Sequence, residues 1–325
     1  MGLGVEHDRP FQILEGMIVC VAVVFVLLGT YARSFGDTAN SRLATVLSLT
    51  EHGTWYIDWP LGEAPNYFEQ RTIDKVMVKG RLLSSKPPIL PLLMTGEYVV
   101  MNRLLGWELL EEGDRGRIIR WMSMTLIGGA YLGALVFFMK TLRLFDIEGL
   151  ARVVLVFSLA FGTQLWGYGS NINNHVPGAG ALVVALYFAL GLGSGRLEAR
   201  AWRFALFGFF GGLAPTLDLP AAIFVAVAGF FVLARHPRLT LLFVLPAAAI
   251  PIGVQTGILL AVTGSPLPVQ LHPEAYLYEA SYWRNPRGID ALNEPKAAYL
   301  FHMTFGRCGL FSLYPILLAG MAGAV

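Results

Sequence analysis

Four short polar stretches, each beside a long apolar run, hold the side chains that could do chemistry. The first is Ser34-Phe-Gly-Asp37-Thr-Ala-Asn-Ser-Arg42. Asp37 can accept a proton from a hydroxyl. It can equally cap the helix that the spacing of Ala39, Leu43, Val46 and Leu47 predicts over about 38–51. The second stretch runs from Asp74-Lys75 to Ser84-Ser85-Lys86-Pro87-Pro88. Two prolines fix the entry of a helix, so Lys86 is held just before its first turn. An ammonium held there could bind an anionic group such as a lipid phosphate, or only snorkel at an interface. The third is Tyr168-Gly-Ser-Asn-Ile-Asn173-Asn174-His175. Three Asn and a His at a membrane boundary are costly without partners. They could line a polar cavity, bind sugar hydroxyls or supply a metal ligand through His175, or form a wet turn. The fourth is Asp218, inside Pro215-Thr-Leu-Asp-Leu-Pro220, where a lone acid is more often structural than catalytic.

The elements that must position these residues are set by composition. Of 325 residues, 55% are hydrophobic and 14% charged, and the mean hydropathy is +0.58. A soluble domain carries about a quarter charged residues. The deficit excludes disorder, a basic nucleic-acid-binding face and most soluble enzymes. A net charge of +2 argues against polyanion partners, nucleic acid included. Cys20 and Cys308 give no metal spacing and no disulfide framework. The expected fold is all-α: a multispanning membrane protein with about eight transmembrane helices, at about 20 apolar residues per span. The runs are Ile13 to Tyr31, 118–139, 151–167, 177–193, 203–216, 220–234, 239–262 and 308–325. The first is too long, and has the wrong flanks, for a cleaved signal peptide. The chain reads as one domain, 1–325. Val325 falls inside an apolar run, which fits either a truncated end or a short final helix.

A further apolar stretch, 88–106, holds Glu97 and Arg103 and decides the orientation of everything after it. If it does not cross, the loops bearing Lys140, Arg143, Arg152, Arg196, Arg200, Arg203, Arg235 and Arg238 share the side of the N-terminus. The loops 168–176 and 217–219, without Lys or Arg, share the other. The positive-inside rule then makes the N-terminus cytoplasmic. It makes 88–106 a surface-lying or half-inserted helix within one large outer loop, 34–117. The helix over 38–51 is expected to lie flat on the outer membrane face. With no organelle signal, the expected location is a bacterial inner (plasma) membrane. The last outer segment, 263–307, carries Tyr276, Tyr278, Tyr282, Trp283, Arg284 and Tyr299. Such residues form interfacial belts, stack on sugars or line lipid-headgroup grooves. Under this one topology every polar cluster reaches the same outer face, which suggests a site at the membrane surface and not a channel through its middle.

This layout resembles the polytopic glycosyltransferases of the GT-C fold, in the branch of protein O-mannosyltransferases and the lipid A aminoarabinose transferase. The resemblance covers about residues 12–235. It rests on the first span followed by Gly36-Asp37, a helix holding Arg42 and ending near Glu51-His52-Gly53-Thr54-Trp55, and Ser85-Lys86-Pro87-Pro88 opening a second juxtamembrane helix. The short polar loop Asn173-Asn174-His175 completes it. It implies inverting transfer of a sugar from a polyprenyl-phosphate donor to an acceptor that stays unspecified. Asp37 would be the catalytic base. Lys86, with Arg42 as a second candidate, would stabilise the leaving phosphate. Tyr168, Asn173, Asn174, His175 and Asp218, placed on the same outer face by the topology, are the further candidate substrate-binding residues. Family enzymes often add an acid in the second outer loop that helps hold a divalent metal such as Mg or Mn. Here no carboxylate occurs in that loop, so Asp37 and His175 are the candidate ligands and metal dependence stays open. The family's basic residue at the later hairpin is also replaced, by Thr216-Leu217-Asp218. A transporter or flippase of a lipid-linked or small polar substrate, and a non-catalytic scaffold subunit, are the competing readings.

Overall fold

In a computed structural model the described residues are 3–34, 36–291 and 293–323. They form a helical bundle with one small hairpin: α1 (Leu3–Gly29), α2 (Gly36–Glu51), β1 (Lys75–Val78), β2 (Arg81–Ser84), α3 (Ile89–Leu105), α4 (Glu112–Met122), α5 (Gly129–Leu144), α6 (Gly149–Phe161) and α7 (Gln164–Tyr168). There follow α8 (His175–Ser194), α9 (Ala201–Leu217), α10 (Ala221–Arg235), α11 (Pro237–Leu239), α12 (Leu245–Thr263), α13 (Lys296–Thr304), α14 (Leu310–Leu313) and α15 (Ile316–Ala322). A π-helical turn, Ser123–Gly128, joins α4 to α5, and a second, Thr240–Val244, joins α11 to α12.

Five stretches are long and apolar enough to cross a membrane: Pro10–Gly29, Glu112–Leu144, Gly149–Tyr168, His175–Ser194 and Pro237–Thr263. The chain is thus a helical integral membrane protein, but the expected count of eight is not met among the described residues. Two of the missing runs became α9 and α10, of 17 and 15 residues. At about 1.5 Å per residue both fall short of a bilayer core of about 30 Å. Pro215, Asp218 and Pro220 hold the α9–α10 turn to a few residues, and Pro315 divides the last run into α14 and α15.

The helix α8 sits at the centre of the bundle, with most of its spanning length buried. Its small residues Gly180, Ala181, Ala185, Ala189, Gly191 and Gly193 let neighbours approach from several sides, a property of close helix contacts in membranes. Backbone meets backbone where α9 packs on the second π-helical turn and α12. A Cβ on Gly208 would lie 2.2 Å from the Val244 carbonyl oxygen, and one on Gly212 2.5 Å from that of Ala248. Gly208→Leu is therefore expected to force the two helices apart at a cost of about 1–3 kcal/mol. Thermal unfolding in detergent would show it, and an unchanged midpoint would mean the contact is slack.

The contacts sort the connections onto two ends. At one end Glu15 of α1 pairs with Arg143 of α5 and Arg152 of α6. Arg196 pairs there with Asp146, and His236 meets the Leu192 carbonyl oxygen. At the opposite end the Tyr31 amide donates to Ser170, and Arg120 reaches the Leu27 carbonyl. The connection 34–117 thus leaves and returns at the same end. The basic loops share one end of the bundle, and His175, Asp218 and the 34–117 connection share the other.

The connection has its own structure. The helix α2 forms, and all ten residues from Ala39 to Ser48 are buried. Other segments cover its polar side. Ser41 donates to the Asp74 carbonyl at 2.6 Å, Asn40 to the Arg71 carbonyl at 2.8 Å, and Asn66 to the Ala44 carbonyl at 2.9 Å. The connection also holds one short hairpin within the otherwise all-α fold. The strands pair antiparallel, Lys75 opposite Ser84 and Val78 opposite Arg81. Lys79 and Gly80 make the turn with φ of 53° and 76°, the left-handed pair that a two-residue type I′ hairpin requires. The helix α3 buries Leu90, Met94, Tyr98 and Met101 as one stripe and leaves Leu93, Val100 and Leu104 exposed on the other face.

Candidate functional site

A cleft of about 960 Å³ opens at the end of the bundle opposite the basic loops. Its walls come from the first turn of α3, the last turns of α12, the α7–α8 and α9–α10 turns, the end of β2 and the segment after α12. The two long connections meet over it. Gln270 donates to the Ser85 carbonyl at 2.5 Å, Lys79 to the Val262 carbonyl at 3.0 Å, and the Trp283 indole to the Ile73 carbonyl at 3.2 Å.

One wall is polar. Lys86 Nζ lies 2.9 Å from Asp74 Oδ2, and both side chains are largely buried. The hairpin makes this pair, because β1 and β2 set Asp74 across from Ser85, whose amide donates to the Asp74 carbonyl at 3.1 Å. Burial pushes the Lys86 ammonium below its ordinary 10.5, against the pull of Asp74. An anion held by Lys86 should therefore lose affinity as pH rises, beginning below pH 10.5, where an ordinary lysine keeps its charge. Titrating a long-chain alkyl phosphate against the protein from pH 7.5 upward would show this. Affinity constant to pH 10.5 would place the anion elsewhere.

Arg42 stands behind this wall, fully buried in α2. Its guanidinium donates to the Thr38 carbonyl at 2.6 Å and to the Asn174 side-chain oxygen. Burial pushes it down to about 10 while Asp74 and Asp218 pull upward, so it stays a cation at neutral pH. Asn174 is thereby fixed, and its amide donates to the Leu217 carbonyl at 2.9 Å. Asn173 lines the cleft with its polar atoms already used. Its oxygen accepts from the Val176 amide at 2.9 Å, and its nitrogen donates to the carbonyls of Tyr168 and Asn171. It caps the start of α8, the structural role of an Asn at such a turn.

His175 Nδ1 lies 2.8 Å from Asp218 Oδ2. The tip of the α9–α10 turn thus meets the start of α8, and the Tyr168 ring stands edge-on to His175 at 5.8 Å. Gly178 makes the approach possible, since a Cβ there would lie 2.8 Å from Asp218 Cβ. The opposite wall is apolar, with Pro91 of α3, Ile258, Leu259 and Val262 of α12, and Leu277. Gln255 also lines it, and its side-chain oxygen is buried with no hydrogen-bond partner. Burial raises the Tyr276 phenol above its usual value.

Of the residues singled out in the sequence, Lys86, Tyr168, Asn173, Asn174, His175 and Asp218 line the cleft together. Asp37 does not line it. Its Oδ1 accepts from the Ile73 amide at 2.7 Å and its carbonyl from Thr72 at 2.8 Å. It joins α2 to the segment leading into the hairpin, though it is near enough to act on the Lys86 charge. The carboxylates in the wall are Asp74 and Asp218. Asp74 opens the second polar stretch with no role assigned to it, yet the signal for its pairing is present: Lys79-Gly80 between two β-like runs is a hairpin pattern, which sets residue 74 beside 85.

A divalent ion would need several oxygen or imidazole donors aimed at one point. Asp37 and His175 do not supply them, since Asp37 faces Ile73 and His175 faces Asp218. Among the described residues no group of three or more His, Cys, Asp or Glu could hold a metal. No protein family, curated protein or solved structure matches this chain.

Proposed function

We propose that this chain is an integral membrane glycosyltransferase of the GT-C type, taking a sugar from a polyprenyl-phosphate donor at one membrane face. The observation that carries this reading is the cleft itself, with one buried cation on a polar wall and an apolar wall continuous with helices α3 and α12. An amphiphile with a phosphate head and a long hydrocarbon tail has the matching pattern. Lys86, aligned by Asp74, would hold the phosphate and carry part of its growing negative charge as the bond to the anomeric carbon breaks. Arg42 would add to the positive field from behind Asn174. Asn171, Gln255 and Gln270 offer neutral hydrogen-bonding groups suited to sugar hydroxyls. The site end would face outward from a bacterial plasma membrane, because the basic loops gather at the other end.

The test is turnover by purified protein in detergent, given a panel of radiolabelled polyprenyl-phosphate sugars. Release of sugar from one donor, lost in Lys86→Ala, supports the reading. No release from any donor by folded protein would sink it in favour of transport or a scaffold role.

A further inference from the structure

A second, smaller cavity of about 450 Å³ adjoins the cleft. It lies between α6–α7, the first turns of α8 and the C-terminal helices α14 and α15. Leu159, Leu165, Ala179, Leu310 and Leu317 form its body. Tyr168, His175 and Asp218 line both cavities. The His175–Asp218 pair is therefore the place where contents of the two cavities can meet.

We infer that the smaller cavity receives the acceptor, a hydroxyl-bearing amphiphile, and that His175, oriented by Asp218, takes the hydroxyl proton; this rests on the transferase reading. In this arrangement Asp218 Oδ2 accepts from His175 Nδ1 across the 2.8 Å contact. In the neutral ring that bond leaves Nε2 as the proton-accepting nitrogen. Nε2 has no protein hydrogen-bond partner among the described residues, and the ring is 60% exposed, so a substrate can reach it. The acceptor oxygen's lone pair forms the new bond to the anomeric carbon, on the face away from Lys86. The bond from that carbon to the phosphate oxygen breaks, and its electron pair leaves on the phosphate. The hydroxyl proton passes to Nε2. Here His175 is the catalytic residue and Asp218 the positioning residue. Asp37, bonded to Ile73 outside the cleft wall, does not perform this step.

The acceptor site is tested without relying on turnover. A long-chain primary alcohol carrying a diazirine is photolysed with the full chain in detergent, and labelled peptides are mapped. Labelling of 159–165 and 310–317 should be lost in Ala179→Trp and in Leu159→Trp, which fill the cavity from two walls. An alkyl phosphate should not displace it. Labelling that ignores both substitutions, or is displaced by alkyl phosphate, overturns the assignment. The base is tested with a responsive donor: His175→Gly should lose at least 100-fold in transfer, on the order expected for a general base, and recover activity with added imidazole. Asp218→Glu should restore part of what Asp218→Asn loses. Absence of imidazole rescue in folded His175→Gly overturns the proton-acceptor role. Turnover of a donor without the labelling pattern sinks the inference and leaves the transferase reading standing. The labelling pattern without turnover of any donor sinks the transferase reading and the base role that rests on it.

Discussion

Lys86→Ala is expected to lower sugar release from the donor by about 10²–10³-fold, the loss seen when one group that stabilises developing negative charge is removed. The physical reason is the setting of the ammonium. Its side chain is 20% exposed and that of its partner Asp74 is 10% exposed, so water cannot replace its field. The loss should fall mainly on kcat, because the leaving phosphate gains negative charge only as the bond breaks. Asp74→Asn should cost less, since it removes the group that aligns the cation and leaves the cation in place. Single-turnover rates for the two variants and the double variant would settle the order. Equal losses in Lys86→Ala and Asp74→Asn, with no further loss in the double variant, would mean the pair works as one structural strut.

Glu15→Gln is expected to destabilise the bundle by about 3–5 kcal/mol, the cost of removing one partner from a buried ion pair. Glu15 is 1% exposed and faces two guanidiniums, Arg143 at 2.8 Å and the buried Arg152. Those residues join α1, α5 and α6 at the end far from the cleft. Removing the carboxylate takes a charged partner from the buried Arg152 guanidinium and from Arg143 at once. Arg143→Gln makes the contrast. The Arg143 side chain is 53% exposed, so its loss should cost no more than about 1 kcal/mol. Apparent Tm values from intrinsic tryptophan fluorescence in detergent would separate the two. A similar small effect from both would mean that the triad contributes little.

The two cases differ in how far the sequence reveals them. Lys86 stands out from its neighbours in the chain alone, because Lys-Pro-Pro ahead of an apolar run is a local signal that fixes a helix start. Its partner Asp74 is legible only once Lys79-Gly80 is read as a hairpin turn. Glu15 reads as an isolated acid near the start of an apolar run, and its partners lie 128 and 137 residues away. The Gly208–Gly212 spacing is a local small-residue pattern of the kind that brings membrane helices together. What it packs against, α12, is not local.

Hydropathy is a property of short windows, so the sequence by itself determined the membrane class, the helical character and the approximate position of each apolar run. Loop charge then separated a basic end from the end that holds the polar clusters. Helix length was less secure, because prolines and a turn of a few residues cut runs that composition alone would extend. Only the tertiary structure decided which polar groups touch. Periodicity tells which face of α2 is apolar, but not that the 66–74 segment and the hairpin cover its polar face. Asp37 and Asp218 are alike as isolated acids beside apolar helices. One ends against the Ile73 amide and the other against His175, 43 residues away in sequence. The reason is that such contacts join distant segments across loops. Their geometry follows from how whole helices pack, through close approaches such as Gly178 against Asp218, and not from any period within one helix.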